Sequence, residues 1–361
     1  MKHLLVTGGA GFIGSNFIRF ILAADENVEV VNLDALTYAG SLENLKEIPS
    51  PERHLFVQGD ICDLSHVVHL LRQHRIDTIV HFAAETHVDR SILGPAPFMR
   101  TNIEGTFALL EAARQVWLVE KLHPLEAVRF HHVSTDEVFG DLAPTDPPFS
   151  ETTPYKPSSP YAASKAASDH VVRAYAHTYG LPVTISNCSN NYGPYQFPEK
   201  VIPLVILNAR KGSPIPLYGD GQQVRDWLFV EDHCAAIHLV LRKGRPGATY
   251  NIGGDNQPTN LEVMKSACSI LDERLPDSPY TPHSTLVAPV PDRPGHDRRY
   301  AMNTAKIKRE LGWAPQETLQ SGLAKTVDWY LSHPEWVSAI EARPSFQEWL
   351  KNNYADRGQR E

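Results

Sequence analysis

Short apolar, β-branched stretches alternate with longer runs of helical periodicity through the first half of the chain. Segments 4–7, 28–34, 54–58, 78–83, 129–134 and 183–186 carry the strand pattern. Between them, 12–24, 64–74, 102–117 and 162–179 place apolar residues at helical spacing. A repeated strand–helix–strand order builds parallel strands joined by helical crossovers. The pattern therefore predicts an α/β fold, a Rossmann-type doubly wound parallel sheet whose ligand lies at the carboxyl ends of the strands. Beyond residue 189 the character changes, and Pro and Gly punctuate 193–194, 212–216, 219–221 and 289–295. This predicts an NAD-binding Rossmann domain over 1–189 and a smaller, loop-rich α/β substrate domain over 190–361. Segment 224–252 is expected to return to the first domain.

Composition narrows the function classes. The 361 residues are 42% hydrophobic and 21% charged, as in an ordinary globular protein with a sizeable core. A formal net charge of -8 argues against nucleic acid as the partner, since phosphate backbones are met by basic faces. Cys62, Cys188, Cys234 and Cys268 are scattered, with no disulfide framework and no metal-ligand spacing. No metal is expected. The apolar stretch up to Ala24 is broken by Gly8, Gly9, Gly11, Gly14, Asn16 and Arg19, unlike a secretory signal. No segment offers the ~18 uninterrupted apolar residues of a membrane span. A cytoplasmic enzyme without membrane contact is the expectation.

The run GGAGFIG at 8–14 follows the first strand directly and opens a helix. Glycines there permit a tight turn and close approach of a pyrophosphate to the helix N-terminus. Asp34 closes the second strand, twenty positions after Gly14, where a carboxylate can accept from the adenosine ribose hydroxyls. Ala35 and Leu36 offer no cation for a 2′-phosphate, so NAD is favoured over NADP. Asp60 and Ile61 end the third strand, suited to the adenine, although Asp60 equally suits a helix cap. Phe82, Ala83 and Ala84 end the fourth, where small side chains let a dinucleotide pass.

Tyr161 and Lys165, in SPYAASK at 159–165, stand four apart and face one way on a helix, about 6 Å apart along its axis. An ammonium beside a phenol favours the phenolate, a base for a sugar hydroxyl. That spacing alone is common by chance. It gains weight from STDEVFG at 134–140, which places Thr135, Asp136 and Glu137 at the end of the fifth strand. Two adjacent carboxyls can serve as acid and base when their surroundings separate their pKa values.

With these motifs together, the chain resembles the extended branch of the short-chain dehydrogenase/reductases, and within it the dTDP-glucose 4,6-dehydratases. The resemblance runs from Met1 to about Tyr330. It also includes LDALTYAG at 33–40, AETHVDRS at 84–91, CSNNYGPYQFPEK at 188–200, RDW at 225–227 and DRPGH at 292–296. It implies NAD as cofactor, dTDP-glucose as the small-molecule substrate and a homodimer built through the helices at 102–117 and 162–179. Thr135, Tyr161 and Lys165 would oxidise the sugar's 4-position. Glu137 would remove the 5-proton, and Asp136 would protonate the departing 6-hydroxyl.

The resemblance adds Phe12, Ile13, Ala35, Leu36, Thr37, Thr101 and Asn191 on the cofactor side, with Thr86 touching cofactor and sugar. It puts Asn190, Glu199, Lys200, Ile215, Pro216, Leu217, Arg225, Asn260, Arg293 and His296 around the substrate, with the arginines on the diphosphate. Three positions depart from the pattern. Phe139 replaces a usual tyrosine, Asn187 precedes the Cys188 run, and Ala35 stands where lysine is common. A 4-epimerase has no use for the carboxyl pair, and Asp136 tips the choice toward elimination. UDP- and CDP-glucose dehydratases stay open on the sequence. A non-catalytic NAD-sensing scaffold would have lost some of Thr135, Asp136, Glu137, Tyr161 and Lys165, and all five are present.

Overall fold

Leu4, Leu5 and Val6 are all fully buried, which requires cover on both faces of their strand. In the computed structural model, which describes residues 1–292, 295–344 and 346–347, that cover is helical on each side. The first strands are β1 (His3–Thr7), β2 (Glu29–Asp34), β3 (His54–Gln58), β4 (Thr78–His81), β5 (Arg129–Thr135) and β6 (Val183–Cys188). Shorter ones follow: β7 (Asn190–Tyr192), β8 (Ile215–Tyr218), β9 (Trp227–Phe229), β10 (Thr249–Ile252) and β11 (Val287–Val290). Seven strands form one parallel sheet in the order β10-β6-β5-β4-β1-β2-β3.

Alternation along β1 sorts its side chains between two cores. Leu4 and Val6 pack with Phe17, Ile21, Val230 and Ile237 from helices Phe12–Ala24 and Val230–Lys243. Leu5 packs on the other face with Val67, Leu109 and Val172, from helices Leu64–Gln73, Thr106–Ala113 and Pro160–Tyr179. The 102–117 periodicity becomes a longer helical run in which widened turns, Met99–Gly105 and Arg114–Val119, flank Thr106–Ala113. The 162–179 helix begins two residues earlier, because Ser159 caps it at Ala162 N (3.1 Å) and Pro160 takes the first turn. The predicted strand at 78–83 ends at His81, where the chain turns into the Ala83–Ala84 passage over the glycine loop.

Most of the remaining elements form a second core region, apart from the two cores that flank the sheet. Parallel pairs β8–β11 and β7–β9 pack with helices Val201–Lys211, Asn260–Arg274 and Leu319–Ser332 around Tyr192, Ile206, Met264 and Val327. Segment 224–252 is divided: β9 pairs with β7, whereas helix Val230–Lys243 packs on the large sheet and β10 pairs with β6 at its edge. Among the described residues no helix is long and apolar enough to cross a membrane.

Candidate active site

A cleft of about 380 Å³ opens at the carboxyl ends of the strands. Its floor is the glycine loop. Gly8 has φ +74°, and a Cβ there would lie 2.7 Å from the Ala83 backbone, while one on Gly14 would lie 2.3 Å from Gly8 O. Both positions need glycine. Gly11 precedes helix Phe12–Ala24 and gives no side-chain cap, so the N–H groups of the first turn point at the cleft without a side-chain partner. Such a terminus suits a pyrophosphate. Asp34 is buried, with Oδ2 accepting from Ala10 N (2.9 Å) and Oδ1 from Leu36 N (2.8 Å). Burial raises its pKa, and the two N–H bonds oppose the rise. The lone pairs left over can accept ribose hydroxyls, so the cradle fits an adenine dinucleotide.

The opposite wall comes from β5 and helix Pro160–Tyr179. Thr135 ends β5 and accepts from Glu137 N at 3.3 Å, turning the chain so that Asp136 and Glu137 follow in a 3-10 turn. Asp136 is 2% exposed. Its Oδ1 accepts from Thr135 Oγ1 at 3.3 Å, and its buried Oδ2 has no partner. Burial, then Glu137 and Asp226, push its pKa well above the usual carboxyl range. The surroundings of Asp136 therefore favour its protonated form, as a proton donor requires.

Tyr161 is buried beside Phe98, ring centroids 6.4 Å apart. Lys165 Nζ donates to Val133 O at 2.9 Å. Burial, then Glu137 and Cys188, push the phenol well above its ordinary value, and a Thr135 hydrogen bond opposes them. Desolvation and the neighbouring carboxyl thus oppose the phenolate, and a positive charge nearby, such as the Lys165 ammonium, favours it.

A family model described as GDP-mannose 4,6 dehydratase matches residues 5–326. The dTDP-glucose 4,6-dehydratase of Salmonella typhimurium is 53% identical over 362 residues, covering 98% of this chain and 99% of that one. The same enzyme of Neisseria gonorrhoeae is 58% identical over 334 residues, covering 92% and 96%. The chain belongs to the dTDP-glucose 4,6-dehydratase family. A crystal structure of the Streptomyces venezuelae member, with NAD and TYD bound, superposes with a TM-score of 0.84 at 48% identity, covering 94% of this chain and 99% of that chain.

Most of the residues singled out in the sequence meet in the cleft. Gly8, Gly11, Phe12, Ile13, Gly14, Asp34, Ala35, Thr37, Asp60, Ile61, Phe82, Ala83, Ala84 and Thr101 line its cofactor side. Thr86, Thr135, Asp136, Glu137, Tyr161, Lys165, Asn190, Asn191, Glu199 and Lys200 line the rest. Several others stand elsewhere. Leu36 contributes its N–H to Asp34 and does not line the cleft. Ile215 and Leu217 are buried in the second core, because β8 pairs with β11 and turns these side chains inward, and Pro216 lies between them outside the cleft.

Arg225 is 5% exposed, donates to Val224 O (2.8 Å) and Asp297 O (2.7 Å), and lies over the Tyr300 ring at 4.3 Å. It therefore sits behind the cleft wall, on Asp136's side, where its charge partly offsets the rise in the Asp136 pKa. Asn260 starts helix Asn260–Arg274, and His296 pairs with Asp292 at 2.6 Å. Both lie outside the cleft lining. Arg293 lies outside the described residues.

The structure adds residues that were quoted within motifs but given no role. Tyr38, Glu85, Gln196 and Trp227 line the cleft. Arg90, in the short helix Val88–Leu93, stacks over Tyr38 at 4.0 Å and approaches Glu199 at 3.8 Å, holding together the loop that follows β2, that helix and the segment after β7. Both oxygens of Glu199 are buried without a hydrogen-bond partner.

Proposed function

We propose that Thr135, Asp136, Glu137, Tyr161 and Lys165 carry out the 4,6-dehydration of dTDP-glucose in this cleft, giving dTDP-4-keto-6-deoxy-glucose. One observation carries this reading. Asp136 is a buried carboxyl whose surroundings favour the protonated form, with an oxygen that has no partner, set directly beside a second carboxyl at the sheet's ligand-binding edge. Oxidation or epimerisation alone has no use for such an acid. Elimination of water needs one group to take the 5-proton and another to give a proton to the leaving 6-hydroxyl.

In this reading the glycine loop and Asp34 would hold NAD, which would supply the hydride acceptor for the sugar's 4-position and the hydride donor for the 6-position, with the 5-position regaining a proton from Glu137 as the 6-position is reduced. Tyr161, as the phenolate that Lys165's positive charge favours, takes the 4-hydroxyl proton, with Thr135 bonding the same oxygen. The resulting 4-ketone acidifies the 5-proton, which Glu137 removes. Asp136 then donates its proton so that the 6-oxygen leaves as water. Lys200 and the loop carrying Asn190 and Glu199 hold the nucleotide sugar. Residues 1–189 with about 224–252 make the cofactor domain, and the rest chiefly the substrate domain.

The four cysteines are free, which supports a reducing cytoplasm. A homodimer is supported by the exposure of Phe107 (46%) and Tyr179 (48%) on the two helical segments expected to pair. Sedimentation of a monomer at micromolar concentration would overturn the dimer.

Incubation with dTDP-, UDP-, CDP- and GDP-glucose, followed by product mass, tests the activity. Loss of water should be fastest from the dTDP sugar. Equal or faster loss from another would reassign the base. The cofactor assignment carries its own expectation. Replacing Asp34 by alanine removes a charged acceptor, so NAD binding should weaken by roughly 1.5–3 kcal/mol in calorimetry. Equal affinity of the native protein for NAD and NADP would contradict it.

A further inference from the structure

Lys165 carries its ammonium to a site only 4% exposed, where the hydrogen-bond acceptor is the neutral Val133 carbonyl. A buried ion is tolerable only with an opposite charge close by. Asp169 stands four positions further along helix Pro160–Tyr179, so the two side chains share a face with Cβ atoms about 6 Å apart. Its side chain is completely buried. Oδ2 accepts from Tyr155 Oη (2.7 Å), Ser134 Oγ (3.0 Å) and, at 3.4 Å, Asn187 Nδ2. Oδ1 lies 3.2 Å from His132 Nε2. Asn187 Nδ2 also donates to Thr135 O at 3.1 Å. One carboxylate thus ties the ends of β5 and β6 to the helix that bears Tyr161 and Lys165.

We propose that Asp169 is a positioning residue for the reaction: its carboxylate is the counter-charge that keeps Lys165 protonated, and through Ser134 and Asn187 it fixes the strand end that carries Thr135. The proposal rests on the roles given above to Lys165 and Tyr161. The other titratable groups facing this pair come from each packed element. They are His81 of β4, His132 of β5, Cys188 of β6, Tyr155 of the intervening loop and Arg173 of the same helix. Burial lowers His81 well below its usual value and His132 to about 4, and pushes Cys188 up to about 12. None of these three is charged at neutral pH. Arg173 Nη2 donates to Tyr155 Oη at 2.7 Å. Asp169, whose pKa is held below the ordinary value by His132, Lys165 and Tyr155 against its burial, is the anion in this group.

The sign of the effect follows. Burial lowers the Lys165 pKa, and Asp169 raises it. Neutralising Asp169 therefore lets the ammonium lose its proton at lower pH. Asp169→Asn keeps the side chain's size and removes the charge. The alkaline limb of kcat on dTDP-glucose should move to lower pH by about 1–2 units, and Asp169→Glu should restore part of the shift.

An unfolding cycle gives a second readout that does not depend on turnover. Lys165→Met should cost less stability in the Asp169→Asn background than in the native chain. An unmoved alkaline limb, or an equal cost of Lys165→Met in both backgrounds, would overturn the proposal and leave Asp169 a structural residue. Should Asp169→Asn fail to fold, the double variant Lys165→Met/Asp169→Asn must recover folding, and failure to recover would overturn it equally. A native enzyme that forms some other product would count against the functional reading instead, independently of this test.

Discussion

Replacing Asp136 by asparagine should stall turnover halfway. The side chain keeps its shape in a buried site and keeps an acceptor for Thr135 Oγ1, but it no longer carries the proton that the leaving 6-oxygen requires. Oxidation at the 4-position does not use that proton. Sugar recovered from a rapid quench should therefore bear a 4-ketone with its 6-hydroxyl intact, and water should be lost about 10²–10⁴-fold more slowly than in the native protein. Release of 4-keto-6-deoxy sugar at the native rate would remove Asp136 from the mechanism.

Tyr161→Phe should act earlier and block everything downstream. The ring stays in its buried place against Phe98, so folding and nucleotide binding should persist while the hydroxyl that takes the 4-proton is gone. Overall rate should fall by about 10²–10⁴-fold, and no 4-keto sugar should accumulate in the quench. The contrast with Asp136→Asn is diagnostic: one variant collects an oxidised sugar and the other does not. If Tyr161→Phe also collected the ketone, another group would be the base for oxidation.

Much of this architecture is legible in the sequence because a parallel sheet covered on both faces writes long apolar runs. β3 ends where the pattern ends, and β1, β2, β4, β5 and β6 differ at their ends by one or two residues. The glycine loop is equally legible, since steric demand at Gly8 and Gly14 leaves no other residue type. The short strands β7, β8, β9 and β11 are not, because three or four residues carry no measurable period, and their pairing is fixed by contacts distant in the chain.

Site chemistry divides along the same line. Motif residues at strand ends, such as Thr135 and Asp136, fall in the cleft as expected because the sheet puts them there. Ile215 and Leu217 do not, because a motif match cannot say which face of β8 turns inward. Arg225 reads as a diphosphate clamp from its residue type. Its guanidinium also meets the carbonyls of Val224 and Asp297, partners that only the fold brings together. The upward push on the Tyr161 pKa is likewise a matter of burial and of Glu137 nearby, neither of which a four-residue spacing encodes.

The central claim is that one cleft oxidises, dehydrates and reduces the same sugar. Its most direct test uses native protein in heavy water with dTDP-glucose deuterated at the 4-position, followed by spectroscopy of the product. The label should appear at the 6-position of a 4-keto-6-deoxy sugar, with solvent deuterium at the 5-position. A product that keeps its 6-hydroxyl and is merely inverted at the 4-position, without solvent deuterium at the 5-position, would contradict the account.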